Sequence, residues 1–314
     1  MKNRNVSVDL FRFLAALSIM FLHTCWGLDD SLLNAYPIIG IVIGRYPVIL
    51  FFTISGYYCF LQISKGRNAA KTQIRSLLKV YCVWTVVYYL MSFVLNVAAG
   101  YEPVGKFFAE RVLYFFTEGS YPHLWYVVSL IYVMILICLV YELCGEKGIR
   151  ILAAVSMILF MIGVLGTSYL PLGEQIPVLG DFYGWKYYFV FRNIFCLGLP
   201  GVMFGYYIVR LLPVIEKRPK LAETGFFITS VLGMIEGMIV IQKGWISDFP
   251  SMFLMPFVLI FGMSCLIRHP LGQLESHAVF LKRMSSYIYF VHPAVIAVLG
   301  FLLQVTGVHL SYWM

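Results

Sequence analysis

Near the start of the chain, Arg12 and His23 stand eleven residues apart in an otherwise apolar run, accompanied only by Asp9 among charged groups. On a helix, eleven positions make three turns plus about 20°, so both side chains project from one face with roughly 16 Å of helix between them. A guanidinium presents a planar fork suited to phosphate, and an imidazole titrating near neutrality can take a proton from a hydroxyl. A ligand with phosphates at one end and a reactive carbonyl at the other fits that spacing, and the thioester of coenzyme A has this shape. The competing reading has Asp9 neutralising Arg12 across i,i+3 while His23 bonds a neighbouring backbone. Four more residues interrupt apolar stretches further along: His123, with Trp125 two positions after it, Arg192, Glu236 and His292. An ionisable group at membrane depth costs about 3 kcal/mol or more, which makes each one a functional candidate.

The elements that must hold these residues follow from composition. The chain has 314 residues, 61% apolar and 12% charged, whereas soluble domains are about half apolar and a quarter charged. A soluble globule is excluded. Apolar stretches long enough to span a bilayer run over residues 8–27, 46–63, 77–99, 123–143, 151–169, 187–209, 222–242, 251–267 and 285–306. The expected fold is therefore an all-α polytopic membrane bundle of nine or ten transmembrane helices forming a single domain, 1–314. The stretch 107–117 is too short to span and reads as interfacial. Arg12 interrupts the first run and no small-x-small cleavage site follows it, so that segment is expected to be a retained helix rather than a signal peptide.

The formal charge of +8 becomes a topology signal once the basic residues are placed on loops. With the N-terminus cytoplasmic, sixteen Lys and Arg fall on the inner side: Lys2, Arg4, Lys65, Arg67, Lys71, Arg75, Lys79, Lys147, Arg150, Arg210, Lys217, Arg218, Lys220, Arg268, Lys282 and Arg283. Five fall outside: Arg45, Lys106, Arg111, Lys186 and Lys243. The outer loops hold most of the acids, Asp29, Asp30, Glu102, Glu110, Glu118, Glu174, Asp181 and Asp248. No nucleic-acid face is implied. The inner loop 65–79 is polybasic and can meet anionic lipid or a phosphate-bearing ligand, with Lys71, Arg75 and Lys79 available as a phosphate clamp. The seven cysteines lack C-x-x-C spacing and read as reduced packing residues, with no metal site expected.

Each remaining candidate carries two readings. Glu236 is an acid/base partner or the counter-charge of Arg192, the ion pair being the expectation. His123 and Trp125 stand where an interfacial anchor is expected, or line an acceptor entrance. His292 precedes Pro293 and is expected to bond the carbonyl that the proline frees. Pro200, Pro256 and Pro293 interrupt the sixth, eighth and ninth stretches, and Gly201/Gly205 and Gly233/Gly237 have the spacing of close helix packing. No Walker loop, dinucleotide fingerprint or G-x-S-x-G elbow is present.

Several segments in order carry a resemblance. Asp9-Leu10-Phe11-Arg12 through His23 is similar to the Arg-x10-His signature of the membrane acyltransferase-3 family. Phe51-Phe52-Thr53-Ile54-Ser55-Gly56-Tyr57 resembles its FFxxSGY segment, and Arg75 through Tyr81 and Trp84 its basic-then-Tyr-Trp entry to the third span. His123-Leu124-Trp125 resembles the HLW entry to the fourth, and Tyr289-Phe290-Val291-His292-Pro293 the late Y-x-x-H-P. Lys71, four residues before Arg75, departs from the fuller Arg-x-x-Arg pattern. The resemblance implies a multi-pass enzyme of the bacterial cytoplasmic membrane that moves an acyl group, commonly acetyl, from cytoplasmic acyl-CoA to a hydroxyl or amine on a cell-envelope glycan or lipid-linked acceptor. It makes His23 and Arg12 the catalytic pair, Arg12, Lys71, Arg75 and Lys79 the acyl-CoA contacts, and leaves His123, Trp125, Arg192, Glu236 and His292 as candidate acceptor-binding residues.

Arg192-Asn193 to Gly198-Leu199-Pro200, Glu236, and Met252 to Pro256 also resemble the membrane half of the serine racemases found with vancomycin resistance. That half is thought to handle serine entry, which keeps a small-molecule transporter open as an alternative, beside a catalytically idle scaffold. With no racemase half in these 314 residues, racemase activity is not expected.

Overall fold

The computed structural model describes residues 5–25, 37–66, 69–98, 100, 103–245 and 251–306, with only the backbone described at 25, 37–45, 69, 98 and 303–305. Lys2, Arg4, Asp29, Asp30, Arg67, Glu102, Asp248 and His309 lie outside the described residues, as do the side chains of Cys25 and Arg45. Among the described residues the regular structure is entirely helical. Helix α1 is Val6–Cys25, α2 Pro37–Ile63, α3 Ala69–Ser92 and α4 Val104–Phe116. Then come α5, Trp125–Leu165, and α6, Tyr188–Lys217, whose segment Arg192–Gly198 is a π-helix. Helices α7 (Pro219–Gln242), α8 (Met255–Arg268) and α9 (Ala278–Thr306) complete the bundle.

Seven of the described helices are long and apolar enough to cross a bilayer, against the nine stretches read from sequence. Two particulars account for the difference. The crossing that contains α5, Pro122–Leu165, is 44 residues long, about twice what one passage needs. Gly145 breaks it with φ 58° and ψ −148°. A Cβ on Gly148 would lie 2.9 Å from Val140 Cγ1, eight residues earlier. Eight residues of straight helix span about 12 Å, so the chain folds back and the fourth and fifth stretches form a hairpin. The eighth stretch is helical only from Met255, which leaves 14 residues. Pro256 occupies its first turn, a position proline favours, so Pro256 opens this helix rather than interrupting one.

Much of the large apolar surface faces outward, including Val83, Val86 and Leu90 on α3, Phe227 on α7 and Leu299 and Leu302 on α9, as helices bathed in hydrocarbon require. The interior is organised by the crossing of α2 and α6. A Cβ on Gly201 would sit 2.7 Å from Phe52 Cβ, and one on Gly56 would sit 2.8 Å from the Val202 carbonyl carbon. These positions are the small residues that let two backbones approach in lipid. Gly233, by contrast, meets only ordinary contacts, the nearest being Tyr46 Oη at 3.4 Å.

Helix α4 covers the stretch read as interfacial, up to Phe116, and is a helix of 13 residues. Phe107 is buried, Phe108, Val112, Leu113 and Phe116 are exposed, and Arg111 lies 4.8 Å from the Phe107 ring centroid. At the opposite end, Asn5 donates to the Ile267 carbonyl at 2.8 Å and Ser7 to that of His269 at 2.9 Å, tying the start of α1 to the end of α8. The six cysteines with described side chains are free: Cys59, Cys138 and Cys196 are buried, whereas Cys82 and Cys144 are exposed rather than packed.

Candidate functional site

Helix α1 is unbroken from Val6 to Cys25, so Arg12 and His23 hold the shared face and the separation of about 16 Å that helical geometry sets. Asp9 is buried, yet among the described residues no hydrogen bond or ion pair joins it to Arg12, and the expected neutralisation across i,i+3 is not made. The half-buried guanidinium instead lies over the Phe51 ring, 6.0 Å from its centroid. Among the described residues Arg12 makes no hydrogen bond or ion pair, which leaves its five N–H donors to a ligand.

The FFTISGY segment of α2 explains itself around this point. Phe51 supplies the face beneath Arg12, Phe52 packs on Tyr126 with ring centroids 4.5 Å apart, and Gly56 admits the α6 backbone. Trp125 is buried against Phe52, centroids 6.3 Å apart, and not arranged as an anchor at the lipid surface. Its hydrophobic ring is used in the core, where the tight α2–α6 crossing leaves Phe52 on the side of α5.

At the far end of α1 three histidines from three parts of the chain meet. His292 Nε2 lies 2.9 Å from His23 Nδ1, and His292 Nδ1 lies 2.7 Å from the Ile288 carbonyl. That carbonyl is one residue before Tyr289, whose oxygen Pro293 frees, and the His292 ring reaches both carbonyls, the expected one and its neighbour. The His123 ring stands 5.9 Å from that of His292, centroid to centroid. His123 is 5% exposed, and neither ring nitrogen has a partner. Buried polar groups are ordinarily bonded, so two unsatisfied nitrogens beside a histidine pair mark where a ligand's hydroxyl can sit.

Tyr289, quoted in the resemblance, and Tyr88, which sequence reasoning did not single out, brace this cluster. Tyr88 on α3 donates to the Phe290 carbonyl at 2.6 Å and packs edge-on to His123 at 4.9 Å. Tyr289 donates to the His123 carbonyl at 2.5 Å. Trp84 stacks on Phe290, and Thr85 shares a 2.7 Å hydrogen bond with Ser120 in the turn before His123. Tyr81, Trp84, Thr85 and Tyr88 follow i, i+3, i+4, i+7 spacing, a stripe on one helix face that extends the quoted Tyr81 and Trp84 to Thr85 and Tyr88.

The other candidates lie apart from the histidines. Glu236 does not pair with Arg192. Its Oε1 accepts from Tyr169 at 2.9 Å and from the Phe253 N–H at 2.7 Å, and its Oε2 accepts from the Leu254 N–H at 3.0 Å. A carboxylate thus closes the turn that opens α8, where backbone donors would otherwise be orphaned at membrane depth. Arg192 bonds Asn193 Oδ1 at 3.0 Å and lies over Phe189. Lys71, Arg75 and Lys79 are exposed on one face of α3, and Lys71 forms an ion pair with Glu142. Arg210 pairs with Glu146 at the same hairpin bend. A cavity of about 440 Å³ between α1, α2, α7 and α8 is lined by apolar groups such as Phe11, Leu14, Leu50 and Met234, and touches none of the three histidines.

The fold and site define a multi-pass helical membrane protein with a cation at one end of its first helix and a buried histidine cluster at the other. The chain belongs to the membrane acyltransferase-3 family, whose model, described as an acyltransferase domain, matches residues 5–314. It is 28% identical over 316 residues to the serine/alanine racemase of Enterococcus gallinarum, covering 96% of this chain and 42% of that protein. An amino-acid racemase of Enterococcus faecalis is 25% identical over 311 residues, with 95% and 42% covered. The chain therefore spans less than half the length of these curated relatives. No solved structure matches it.

Proposed function

We propose that the protein transfers an acyl group, acetyl in the simplest case, from cytoplasmic acyl-CoA to a hydroxyl of a cell-envelope glycan or lipid-linked saccharide in the bacterial cytoplasmic membrane. The observation that carries this reading is the pairing of stations on α1: a guanidinium without an anion partner among the described residues at one end, and a histidine pair about 16 Å away on the same face. Arg12 grips the coenzyme A phosphates at the cytoplasmic mouth. Arg75 and Lys79 on α3 add charge there, and Lys71 joins them when it leaves Glu142. The pantetheine arm reaches along the helix and delivers the thioester to His23.

His23 takes the proton of the acceptor hydroxyl as its oxygen attacks the thioester carbonyl carbon. The carbon–sulfur bond then breaks, the acyl group stays on the acceptor as an ester, and the proton returns to the departing thiolate of coenzyme A. His123, with both nitrogens unsatisfied, holds the acceptor hydroxyl. Purified protein in nanodiscs, given labelled acetyl-CoA and candidate glycans, transfers label; His23→Ala abolishes transfer at unchanged folding. Transfer that survives His23→Ala removes the base assignment.

A second reading, carriage of a serine-like amino acid, draws on the names of the racemase relatives and on the π segment that interrupts α6, since interrupted helices form many transport sites. Serine uptake into proteoliposomes without an acyl donor decides for it.

A further inference from the structure

His292 contributes more than packing around Pro293, and the hydrogen bonds at its two nitrogens dictate how. The Ile288 carbonyl can only accept, so the 2.7 Å contact requires a proton on His292 Nδ1. Among the described residues no carboxylate bonds His292 or His123, and none of them compensates a positive charge buried at either ring. A neutral His292 protonated on Nδ1 has its lone pair on Nε2. That lone pair faces His23 Nδ1 at 2.9 Å, so His23 must carry its proton on Nδ1, and in the neutral ring that a base requires the lone pair is then on Nε2.

The chain of donors is therefore directional, from His23 Nδ1–H to His292 Nε2 and from His292 Nδ1–H to the Ile288 carbonyl. Its terminus is also fixed. The Ile288 carbonyl lies in α9 one turn before His292, and Tyr88 bonds the nearby Phe290 carbonyl at 2.6 Å.

We propose that His292 is a positioning residue that locks His23 in the Nδ1–H tautomer and thereby presents Nε2 as the base, the carbonyl of Ile288 serving as the anchor of the lock. The inference rests on His23 as the base of the proposed acyl transfer, but its structural core does not depend on any activity. In this arrangement a neutral imidazole takes the place that a carboxylate holds in a serine-hydrolase triad, fixing the tautomer and ring orientation of the catalytic histidine without adding a negative charge.

The test uses the full-length protein in nanodiscs labelled with ¹⁵N-histidine. The His23 resonances are assigned by their loss in His23→Gln. In the wild type, His23 is expected to give a protonated-type signal at Nδ1 and a lone-pair-type signal at Nε2. His292→Phe is expected to reverse or average that pattern, and His292→Gln, whose side-chain oxygen can accept from His23, to keep it. In acyl transfer, His292→Phe lowers kcat about a hundredfold or more with the KM for acyl-CoA unchanged, and His292→Gln retains activity within about tenfold. A wild-type His23 protonated on Nε2, or a His292→Phe protein with the wild-type pattern, overturns the proposal. Absence of acyl transfer by the wild type overturns the functional reading instead, and the nitrogen spectra still decide the tautomer.

Discussion

Replacing Gly205 by alanine probes whether the α2–α6 crossing holds the site together. A Cβ at 205 would lie 2.7 Å from the Thr53 carbonyl oxygen, and closer still to the Gly56 carbonyl carbon and the Tyr57 backbone nitrogen. The Tyr57 nitrogen is only 2.1 Å away and ordinary contact begins at 3.4 Å, so the helices must part by about 1.3 Å, and no rotamer relieves a collision with backbone. A radial gap of about 0.5–1 Å already forfeits roughly a quarter to a half of each dispersion contact across it, and this one is wider. Overpacking strain of this kind typically costs about 1–3 kcal/mol, here at the upper end, and better helix propensity returns about 1 kcal/mol. The net loss is about 2 kcal/mol, close to a thirtyfold shift in the folding equilibrium. Gly300 in α9 is the control, because a Cβ there meets nothing within 4 Å; Gly300→Ala should be neutral or stabilising by up to about 1 kcal/mol. Reversible denaturation of both variants in mixed micelles reads the difference. The reasoning fails if Gly205→Ala is as stable as the wild type, or if Gly300→Ala loses as much.

The remaining predictions concern the charged groups. Glu236→Ala strands two backbone N–H groups and the Tyr169 hydroxyl, a loss of about 3 kcal/mol or more, with Glu236→Gln losing roughly half of that. Turnover per folded molecule should stay within a few-fold, and a stable Glu236→Ala protein without turnover would make Glu236 an acid/base partner after all. Arg12→Gln should raise the KM for acyl-CoA by about tenfold or more, as loss of a charge-assisted phosphate contact implies, while binding of a pantetheine thioester that lacks the nucleotide stays unchanged. Equal weakening of both ligands contradicts the phosphate role. Glu142→Gln should lower the KM for acyl-CoA by releasing Lys71 from its ion pair, and an unchanged KM places Lys71 outside the donor site.

Local features were legible in the sequence and remote pairings were not. The Arg12 and His23 face needs only helix geometry, and Gly201 and Gly205 needed only their spacing to be read as a close crossing. The nine apolar stretches matched helices because hydrocarbon demands them, while the reversal at Gly145 depends on a positive φ that glycine permits but does not announce. The bond between His292 and His23 spans 269 positions, and nothing in either neighbourhood names its partner. Glu236 was misassigned because composition suggests a cation as partner, whereas the turn before α8 offers backbone donors that leave no mark in residue type. Trp125 was misplaced for a similar reason: its position near a span end suggests an anchor, and only the packing of Phe52 shows that the ring turns inward.

The π segment of α6, seven residues from Arg192 to Gly198, amounts to one residue more than an α-helix would use. Everything after it is turned by about 100° relative to an uninterrupted α-helix, and that offset points Gly201 and Gly205 at α2. The register of the crossing is thus stored in one surplus residue rather than in any side chain at the seam. Straightening 192–198 into plain α-helix at constant length would preserve hydropathy and charge yet rotate Phe204 into the seam that the glycines keep open, whereas deleting one residue there would absorb the surplus and leave the glycines facing α2.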